Sequence, residues 1–317
     1  MQLTTQIRSP FKVITLPLIG RLYRSAFRSG SKKTPALVRF LARMAFYLLR
    51  AFSIFSSKGA LSIRVGGEDR HAEFNAWNRQ FNAIYFEKYS SGYEPEVTTL
   101  IESLVPDDGV FYDVGSNWGF FTIYLASRPN FSGRIHAFEP WPPSFSDISK
   151  LTDDLRLTEV VSCHNLALSD EVGVAFMRSP SHSGLAHLSS SNGTKVQITC
   201  LDELELDPPS LIKIDAEGAE DKILMGGKKF LSKNTPMLIF ENRVNMFGDE
   251  KCTTVLNMLE SIDYKLFVIR MKNNNSAMNT VELLPITSET RSQYGDCDNL
   301  FACHSLDIQK LNHIASD

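Results

Sequence analysis

One acid and two glycines are spaced along this chain so that they could bind a positively charged nucleoside. Asp113 precedes Gly115 by two residues, and Gly119 follows four residues later. Glycine lets the backbone approach a ligand closely, and the free N–H groups at a helix start face that ligand. The Gly-x-Gly-x-x-Gly spacing of a dinucleotide site is missing. An acid beside the turn instead favours a ligand with a cationic end, such as S-adenosylmethionine (SAM), and we expect Asp113, Gly115, Asn117 and Gly119 to bind it.

A second acid follows at a distance typical of nucleoside-binding folds. The mostly apolar run from Arg134 to Phe138 ends on Glu139, and Pro140 directly after it stops a strand. In Rossmann-like folds, an acid at the end of the second strand accepts hydrogen bonds from the ribose hydroxyls. Taken alone, Glu139 would more often be an ordinary surface acid. Because the glycine turn lies upstream, we expect Glu139 to bind the ribose of SAM.

Further acids follow two later apolar runs. Residues 211–214 precede Asp215 and Glu217, and residues 237–240 precede Glu241. In open α/β sheets, ligands lie outside the carboxyl ends of the strands. These three acids are therefore expected to lie near the same ligand.

Two charged neighbours of these acids have simpler interpretations. Glu220 is expected in the first turn of a helix, where the helix dipole favours an acid. Lys213 is expected to be structural, because alternation along its strand turns it away from its neighbours.

Six short segments recur in the order and spacing of one known family. They lie within roughly residues 90–305, so the resemblance is specific. Ser116 and Ala216 stand where the family more often has Ala and Val, and neither change removes a polar group. The chain resembles the FkbM family of SAM-dependent methyltransferases through residues 113–117 (Asp-Val-Gly-Ser-Asn), 137–140 (Ala-Phe-Glu-Pro), 167–170 (Ala-Leu-Ser-Asp), 199–202 (Thr-Cys-Leu-Asp), 212–220 (Ile-Lys-Ile-Asp-Ala-Glu-Gly-Ala-Glu) and 237–241 (Met-Leu-Ile-Phe-Glu).

The resemblance implies an O-methyltransferase that acts on a hydroxyl of a sugar or glycan, a lipid-linked sugar or a secondary metabolite. Such a transfer needs the hydroxyl and the methyl group held in line, and a general base helps to remove the hydroxyl proton. Asp215, Glu217 and Glu241 are the candidates for that base. Asp215 could instead contact the amino group of SAM or only order its loop.

A divalent ion is a further possibility, since some sugar O-methyltransferases of similar fold hold one with two carboxylates and an amide. Asp215, Glu241 and Asn242 could supply such a set of oxygen ligands, which suits Mg²⁺ better than zinc. The spacing does not distinguish this set from ordinary loop acids. No residue is therefore assigned to a metal.

Two other functions are compatible with part of this pattern. An NAD(P)-dependent Rossmann oxidoreductase would explain the glycine turn and Glu139, but not the missing third glycine. A methyltransferase-like scaffold without catalysis, recruited to a membrane surface, would keep the fold. It would have no reason to keep Asp113, Gly115, Gly119 and Glu139 together.

The N-terminal segment differs in charge from the remainder of the chain. Residues 1–67 contain twelve of the 33 Lys and Arg residues and none of the 36 acids. On a helix within residues 36–57, Arg39, Arg43 and Arg50 form one narrow stripe on an otherwise apolar surface. The uncharged runs are too short to span a bilayer. Such a helix could lie on a membrane surface, pack on its own domain or a partner copy, or belong to an organelle-targeting segment.

The chain length of 317 residues allows one sizeable α/β domain with an appendage. Alternating strand and helix patterns in residues 106–305 predict a doubly wound, mostly parallel sheet. The resemblance implies the Rossmann-like class I methyltransferase fold with seven strands. Residues 1–60 are expected to form a basic amphipathic helical segment, residues 61–105 a helical lead-in and residues 306–317 a C-terminal tail. Within the lead-in, the spacing of Phe74, Trp77, Phe81 and Tyr85 predicts a helix with a buried aromatic face.

The amino-acid composition indicates which cellular compartment and which partners to expect. The five cysteines include no Cys-x-x-Cys pair, which argues against a zinc site or a disulfide framework and favours a reducing compartment. We expect a small-molecule or glycan hydroxyl acceptor and no nucleic-acid partner. The expected location is the cytoplasm, with peripheral contact at the inner face of a membrane through residues 1–60 as an alternative. The oligomeric state is open.

Overall fold

A nine-stranded sheet forms the centre of the computed structural model. Its strands are β1 (Gln2–Gln6), β5 (Val110–Val114), β6 (Arg134–Phe138), β7 (Val161–His164), β12 (Leu211–Ile214), β13 (Met237–Glu241), β14 (Tyr264–Asn274), β15 (Met278–Pro285) and β16 (Asn299–His304). The structure describes residues 1–27, 36–52, 57–86, 89, 92–178, 187–189, 193–242, 249–274, 278–287, 290 and 299–315.

The strand order is β1-β15-β14-β16-β13-β12-β5-β6-β7. The five strands from β13 to β7 are parallel to one another. On the other side of β13 the pairs are antiparallel: β13 with β16, β16 with β14, β14 with β15, and β15 with β1. The predicted doubly wound, mostly parallel α/β fold is confirmed. The predicted count of seven strands is wrong, because β15 and β1 extend one edge.

Neither β15 nor β1 is indicated by the sequence pattern. An Asn-rich stretch, which does not look like part of a strand, joins β14 to β15 in a hairpin. The pairing of β1 with β15 joins Gln2 to Glu282, and no local periodicity indicates so distant a partner. These two strands tie the N-terminus of the chain to the central sheet.

Two smaller sheets accompany the central one. The first has the order β10-β9-β11-β8 and consists of β8 (Ala167–Ser169), β9 (Gly173–Arg178), β10 (His187–Ser189) and β11 (Thr194–Cys200). The second has the order β2-β3-β4 and consists of β2 (Phe11–Thr15), β3 (Lys58–Val65) and β4 (Glu68–Asn75).

The described helices surround these sheets. They are α1 (Leu18–Phe27), α2 (Ala36–Phe52), α3 (Pro95–Leu104), α4 (Phe120–Ala126), α5 (Pro142–Asp154), α6 (Glu220–Met225), α7 (Lys228–Asn234), α8 (Asp249–Ser261) and α9 (Ile308–Ile314). Among the described residues, no helix is both long enough and apolar enough to cross a membrane.

The N-terminal hundred residues are less helical than the sequence suggests. Strands β1, β2 and β3 interrupt residues 1–60, and β3, β4 and a 3-10 helix at Arg79–Ile84 occupy much of residues 61–105. The helical description of both segments is therefore incomplete, and the domain boundaries stay a prediction.

The predicted helix with an aromatic face is wrong. Phe74 lies on β4, and Phe81 lies in the 3-10 helix. The rings still meet, with 5.1 Å between the centroids of Phe74 and Phe81 and 4.5 Å between those of Phe81 and Trp118. Tertiary packing, and not one helical face, brings these aromatic side chains into the core.

The N-terminal segment is packed into the body of the protein. Ile19 and Tyr23 of α1 and Phe46 of α2 are buried in the main core. The Arg8 guanidinium donates to the carboxylate of Glu102, the hydroxyl of Ser127 and the carbonyl oxygen of Tyr124. One face of the helical pair is therefore an internal packing surface. The side chains of Arg39 and Arg50 lie outside the described residues, so the predicted arginine stripe stays a prediction.

Candidate functional site

An open cavity lies at the carboxyl ends of β5, β6, β12 and β13, and we call it the first cavity. The chain passes from β5 to β6 on one side and reaches β12 on the other side of β5, so the strand order reverses there. Ligands of open α/β sheets bind at such switch points. The predicted site residues Gly115, Asn117, Glu139 and Asp215 all line this cavity.

Gly115 allows two loops to meet at the floor of the first cavity. Its φ of +78° lies in the left-handed region, and a Cβ atom there would stand 1.8 Å from the backbone oxygen of Asp215. Its N–H donates to the carbonyl oxygen of Phe138 at 2.9 Å. The sequence therefore needs glycine here both for the backbone turn and for the close approach of the neighbouring loop.

Asp113 and Gly119 support this loop from behind, and their expected contact with the ligand stays a prediction. Asp113 is fully buried, and its Oδ2 accepts hydrogen bonds from the hydroxyl and the backbone N–H of Thr122 at 2.7 and 3.1 Å. A Cβ atom at Gly119 would meet the side chain of Ile148 at 2.6 Å. Neither Asp113 nor Gly119 lines the first cavity.

Glu139 bridges the two loops that form one end of the first cavity. Its carboxylate accepts hydrogen bonds from the backbone N–H groups of Asn117 and Trp141, each at 2.7 Å. Burial raises the pKa of Glu139 to about 7, although these two N–H groups act in the opposite direction. Each carboxylate oxygen has a second lone pair, so Glu139 can accept further hydrogen bonds from a ligand. Apolar side chains line the cavity next to it: Phe138, Leu166, Leu168 and Met177.

A buried lysine forms the other end, which corrects the expectation that Lys213 is only structural. Lys213 lines the first cavity, is 2 % exposed, and its Nζ lies 3.0 Å from Oδ2 of Asp215. Burial works to lower its pKa, but the carboxylates of Asp215, Asp113 and Glu94 together raise it. Lys213 is therefore a fixed positive charge among three acids.

Two residues at this end were not predicted from the sequence. Glu94 and Tyr93 line the first cavity from the loop before α3, and Glu94 has a left-handed φ of +42°. Burial raises the pKa of Glu94 to about 7, Lys213 lowers it and Asp215 raises it. The Tyr93 hydroxyl hydrogen-bonds to the Glu94 side chain. Nothing in the sequence connects this loop to β12, because the contact depends on tertiary folding.

The remaining predicted acids also reach the first cavity. Glu217, which has a φ of +50°, and Glu241, at the end of β13, both line it. Glu220 instead accepts hydrogen bonds from the backbone N–H groups of Ala216 and Gly218, at 2.7 and 3.0 Å. Glu220 therefore stabilises the turn after β12, and it lies in the first turn of α6, as the sequence predicted.

The acids at this end do not suit a divalent cation. Oxygen atoms of Asp215, Glu220 and Glu241 lie within 4.8 Å of one another. However, the Lys213 ammonium already lies beside Asp215, and the oxygens of Glu220 already accept backbone hydrogen bonds. A divalent ion would have to displace the Glu220 hydrogen bonds that hold the turn after β12. The set of Asp215, Glu241 and Asn242 considered from the sequence is not supported.

Comparison with known proteins gives a family match that covers most of this site. Residues 113–266 match the family model described as the methyltransferase FkbM domain. The hexuronic acid methyltransferase AglP of Haloferax volcanii is 29 % identical over 138 residues, which are 42 % of this chain and 56 % of that protein. This chain thus matches little more than half the length of that relative.

Two solved structures are distant likenesses. A methyltransferase FkbM from Methylobacillus flagellatus has a TM-score of 0.41 and 14 % identity, covering 83 % of this chain and 76 % of that chain. The O-methyltransferase TomG from Streptomyces achromogenes, in complex with SAM, has a TM-score of 0.36 and 12 % identity, covering 65 % of this chain and 86 % of that chain. The match of residues 113–266 to the methyltransferase FkbM domain agrees with the family that the sequence motifs predicted.

Proposed function

We propose that this protein transfers the methyl group of SAM to a hydroxyl oxygen of a sugar-type acceptor. The observation that carries the proposal is the division of the first cavity. Glu139 and an apolar wall form one end, and the group Glu94, Lys213 and Asp215 forms the other. The family match and the relative named for hexuronic acid methylation support this proposal over an NAD(P)-dependent oxidoreductase.

The cofactor would be held mainly by the Glu139 end. Glu139 would accept hydrogen bonds from the ribose hydroxyls, while Gly115 and Asn117 bring the backbone close to the nucleoside. The carboxylate of Asp215 would face the cationic part of the ligand. When bound, SAM supplies an already activated methyl group, so the protein's main task is to position the acceptor oxygen.

The acceptor would lie at the Lys213 end, where a proton must be removed. We assign the general base to Glu94, because a base works best when its pKa lies near the working pH, and that of Glu94 is about 7. Lys213 would hold the Asp215 carboxylate in place through their 3.0 Å contact. Glu217 and Glu241, the other candidates from the sequence, would contact the acceptor from the facing wall.

The substitution Glu94→Gln tests this assignment. We expect kcat for methylation of methyl glucuronide to fall about 100-fold, because general bases typically contribute 10²–10⁴-fold. The Kd for S-adenosylhomocysteine (SAH) should change less than twofold. In the wild type, kcat should rise with pH through about 7 and then level off, because the ionised carboxylate is the active form. The variant should lose this inflection.

The matched control is Glu96→Gln, an acid in the first turn of α3 that does not line the first cavity. It should keep the kcat of the wild type at pH 8 and keep the inflection, moved slightly to lower pH because the Glu96 charge raises the pKa of Glu94. An unchanged kcat in Glu94→Gln would exclude Glu94 as the base. Binding of SAH without turnover of any hydroxyl acceptor would instead support the alternative of an inactive scaffold.

We propose in addition that α2 contacts an anionic membrane surface. Its outward face carries large apolar side chains that are about half exposed or more: Leu37, Phe40, Leu41, Met44, Tyr47 and Leu48. Residues 1–67 carry only basic charges, which complement an anionic lipid surface. A lipid-linked sugar would be an acceptor consistent with that location.

Point substitutions test this contact better than a deletion, because residues 1–60 also contain two sheet strands and the bonds of Arg8. We expect the double variant Phe40→Glu, Leu41→Glu to co-sediment at least fivefold less with vesicles of phosphatidylcholine and phosphatidylserine. Val172→Glu, at an exposed apolar residue outside α2, is the control and should sediment like the wild type. Equal sedimentation of all three proteins would rule the contact out.

A further inference from the structure

A second cavity adjoins the first one and has no role in the methyl transfer described above. It lies between the N-terminal segment and the main domain and is walled by residues 5–11, by Tyr85 and Phe86, and by Asn279 of β15. Tyr93 and Phe120 line both cavities. A ligand that occupied both cavities would contact these two rings.

Aromatic rings form much of the wall of the second cavity. The ring centroids of Phe11 and Phe120 are 5.0 Å apart, those of Tyr93 and Phe120 are 4.8 Å apart, and those of Tyr89 and Tyr93 are 4.9 Å apart. Such rings hold one another in fixed orientations and present flat apolar surfaces. These surfaces suit a saturated ring that presents C–H groups on one face.

Two buried polar atoms in the wall have no partner among the described residues. Tyr85 and Asn279 line the second cavity and are 7 % and 3 % exposed. The Tyr85 hydroxyl and Oδ1 of Asn279 have no hydrogen-bond partner. Burial raises the pKa of Tyr85, so its hydroxyl keeps its proton and can donate. One donor and one acceptor beside the second cavity thus lack partners, and leaving both unpaired is costly.

The second cavity offers no unpaired charge. Arg8 is the one charged residue among the described lining residues, and its guanidinium is occupied by Glu102, Ser127 and the carbonyl oxygen of Tyr124. A charged ligand would therefore lack a partner here. An alkyl chain would leave the Tyr85 hydroxyl and Oδ1 of Asn279 unpaired. A neutral ligand ring with several hydroxyl groups could pack against the aromatic side chains and also hydrogen-bond to the two polar atoms.

We propose that the second cavity binds a neutral sugar ring joined to the sugar whose hydroxyl reacts in the first cavity. This inference rests on the proposed function, because it takes the acceptor to be a sugar. The ring would lie against Phe120 and Tyr93, accept a hydrogen bond from the Tyr85 hydroxyl and donate one to Asn279. The N-terminal segment would thus select acceptors of at least two sugar units.

Calorimetry on the full chain saturated with SAH tests the inference with two probes, methyl glucuronide and a disaccharide of glucuronic acid linked to glucose. We expect the disaccharide to bind at least tenfold more tightly than the single ring. Tyr85→Phe and Asn279→Leu each remove one polar function at similar volume, and each should reduce that preference at least threefold. The Kd values for SAH and for the single ring should stay within twofold. Tyr47→Phe, on the exposed face of α2, is the control and should keep the full preference.

Equal affinity of the wild type for the two probes would overturn the inference, as would variants that weaken both probes alike. Tighter binding of octyl glucuronide than of the disaccharide would overturn it in favour of an alkyl chain. Methylation of the single ring with no gain from the second ring would reject the second-cavity ligand and leave the proposed function intact. Failure to bind either sugar, with SAH bound normally, would reject both proposals.

Discussion

Replacing Gly115 with alanine is expected to abolish measurable SAH binding and to lower the free energy of unfolding by about 2–5 kcal/mol. The new Cβ atom would stand 1.8 Å from the backbone oxygen of Asp215, at a φ of +78°. A backbone atom cannot turn aside as a flexible side chain can. The loops after β5 and β12 must therefore separate, and that separation disrupts the floor of the first cavity.

Gly66→Ala is the matched control for this prediction. Gly66 also has a left-handed φ, +57°, but a Cβ atom there would meet nothing within 4 Å. It carries the backbone strain without the collision, so we expect a loss of about 1–2 kcal/mol and unchanged SAH affinity. Urea denaturation and calorimetry measure both quantities. Wild-type SAH affinity in Gly115→Ala would show that the glycine turn does not form the binding site.

The substitution Lys213→Met is expected to lower the free energy of unfolding at pH 8 by about 3–5 kcal/mol. It removes the buried cation that faces Asp215, Asp113 and Glu94, and leaves three acids close together. Without Lys213 the pKa values of Glu94 and Asp113 rise further, because Lys213 lowers both in the wild type. A carboxyl group with a raised pKa in the folded state stabilises that state at low pH and loses this contribution as pH rises. The loss should therefore be clearly smaller at pH 5.5 than at pH 8.

Lys222→Met provides the control for this charge effect. Lys222 is about half exposed, and its Nζ lies 3.7 Å from the carboxylate of Asp170. Exposed ion pairs contribute about 0–1 kcal/mol, so this variant should show a small change that is similar at both pH values. Denaturation curves at pH 5.5 and pH 8 compare the two variants. An equal loss for Lys213→Met at the two pH values would contradict the assignment of Lys213 as the counter-charge of the acids.

The sequence predicted the site residues best where they follow directly on a strand of the parallel sheet. Parallel strands bring their carboxyl ends to one edge of a sheet, so Glu139, Asp215 and Glu241 could be placed together without any structure. The glycine turn was recognised for the same reason, since Gly115 follows a strand and precedes a helix.

Residues that reach the site through tertiary contacts were missed. Glu94 belongs to a loop before α3, and no periodicity relates it to Asp215, more than a hundred residues later. Lys213 was misplaced because β12 has four residues, too few for alternation to decide which side chains face the cavity. Its register partner is Asp113 on β5, a pairing that only the assembled sheet reveals. The pairing of β1 with β15 was not predicted either, because it also joins segments far apart in the sequence.

We propose that the first cavity binds the nucleoside of SAM at Glu139 and the acceptor at Glu94, Lys213 and Asp215. A crystal structure of the full chain grown with SAH tests it most directly. We expect the ribose hydroxyls within hydrogen-bonding distance of the Glu139 carboxylate and the sulfur atom facing the Lys213 end. SAH bound elsewhere, or a first cavity that stays empty at millimolar SAH, would contradict it.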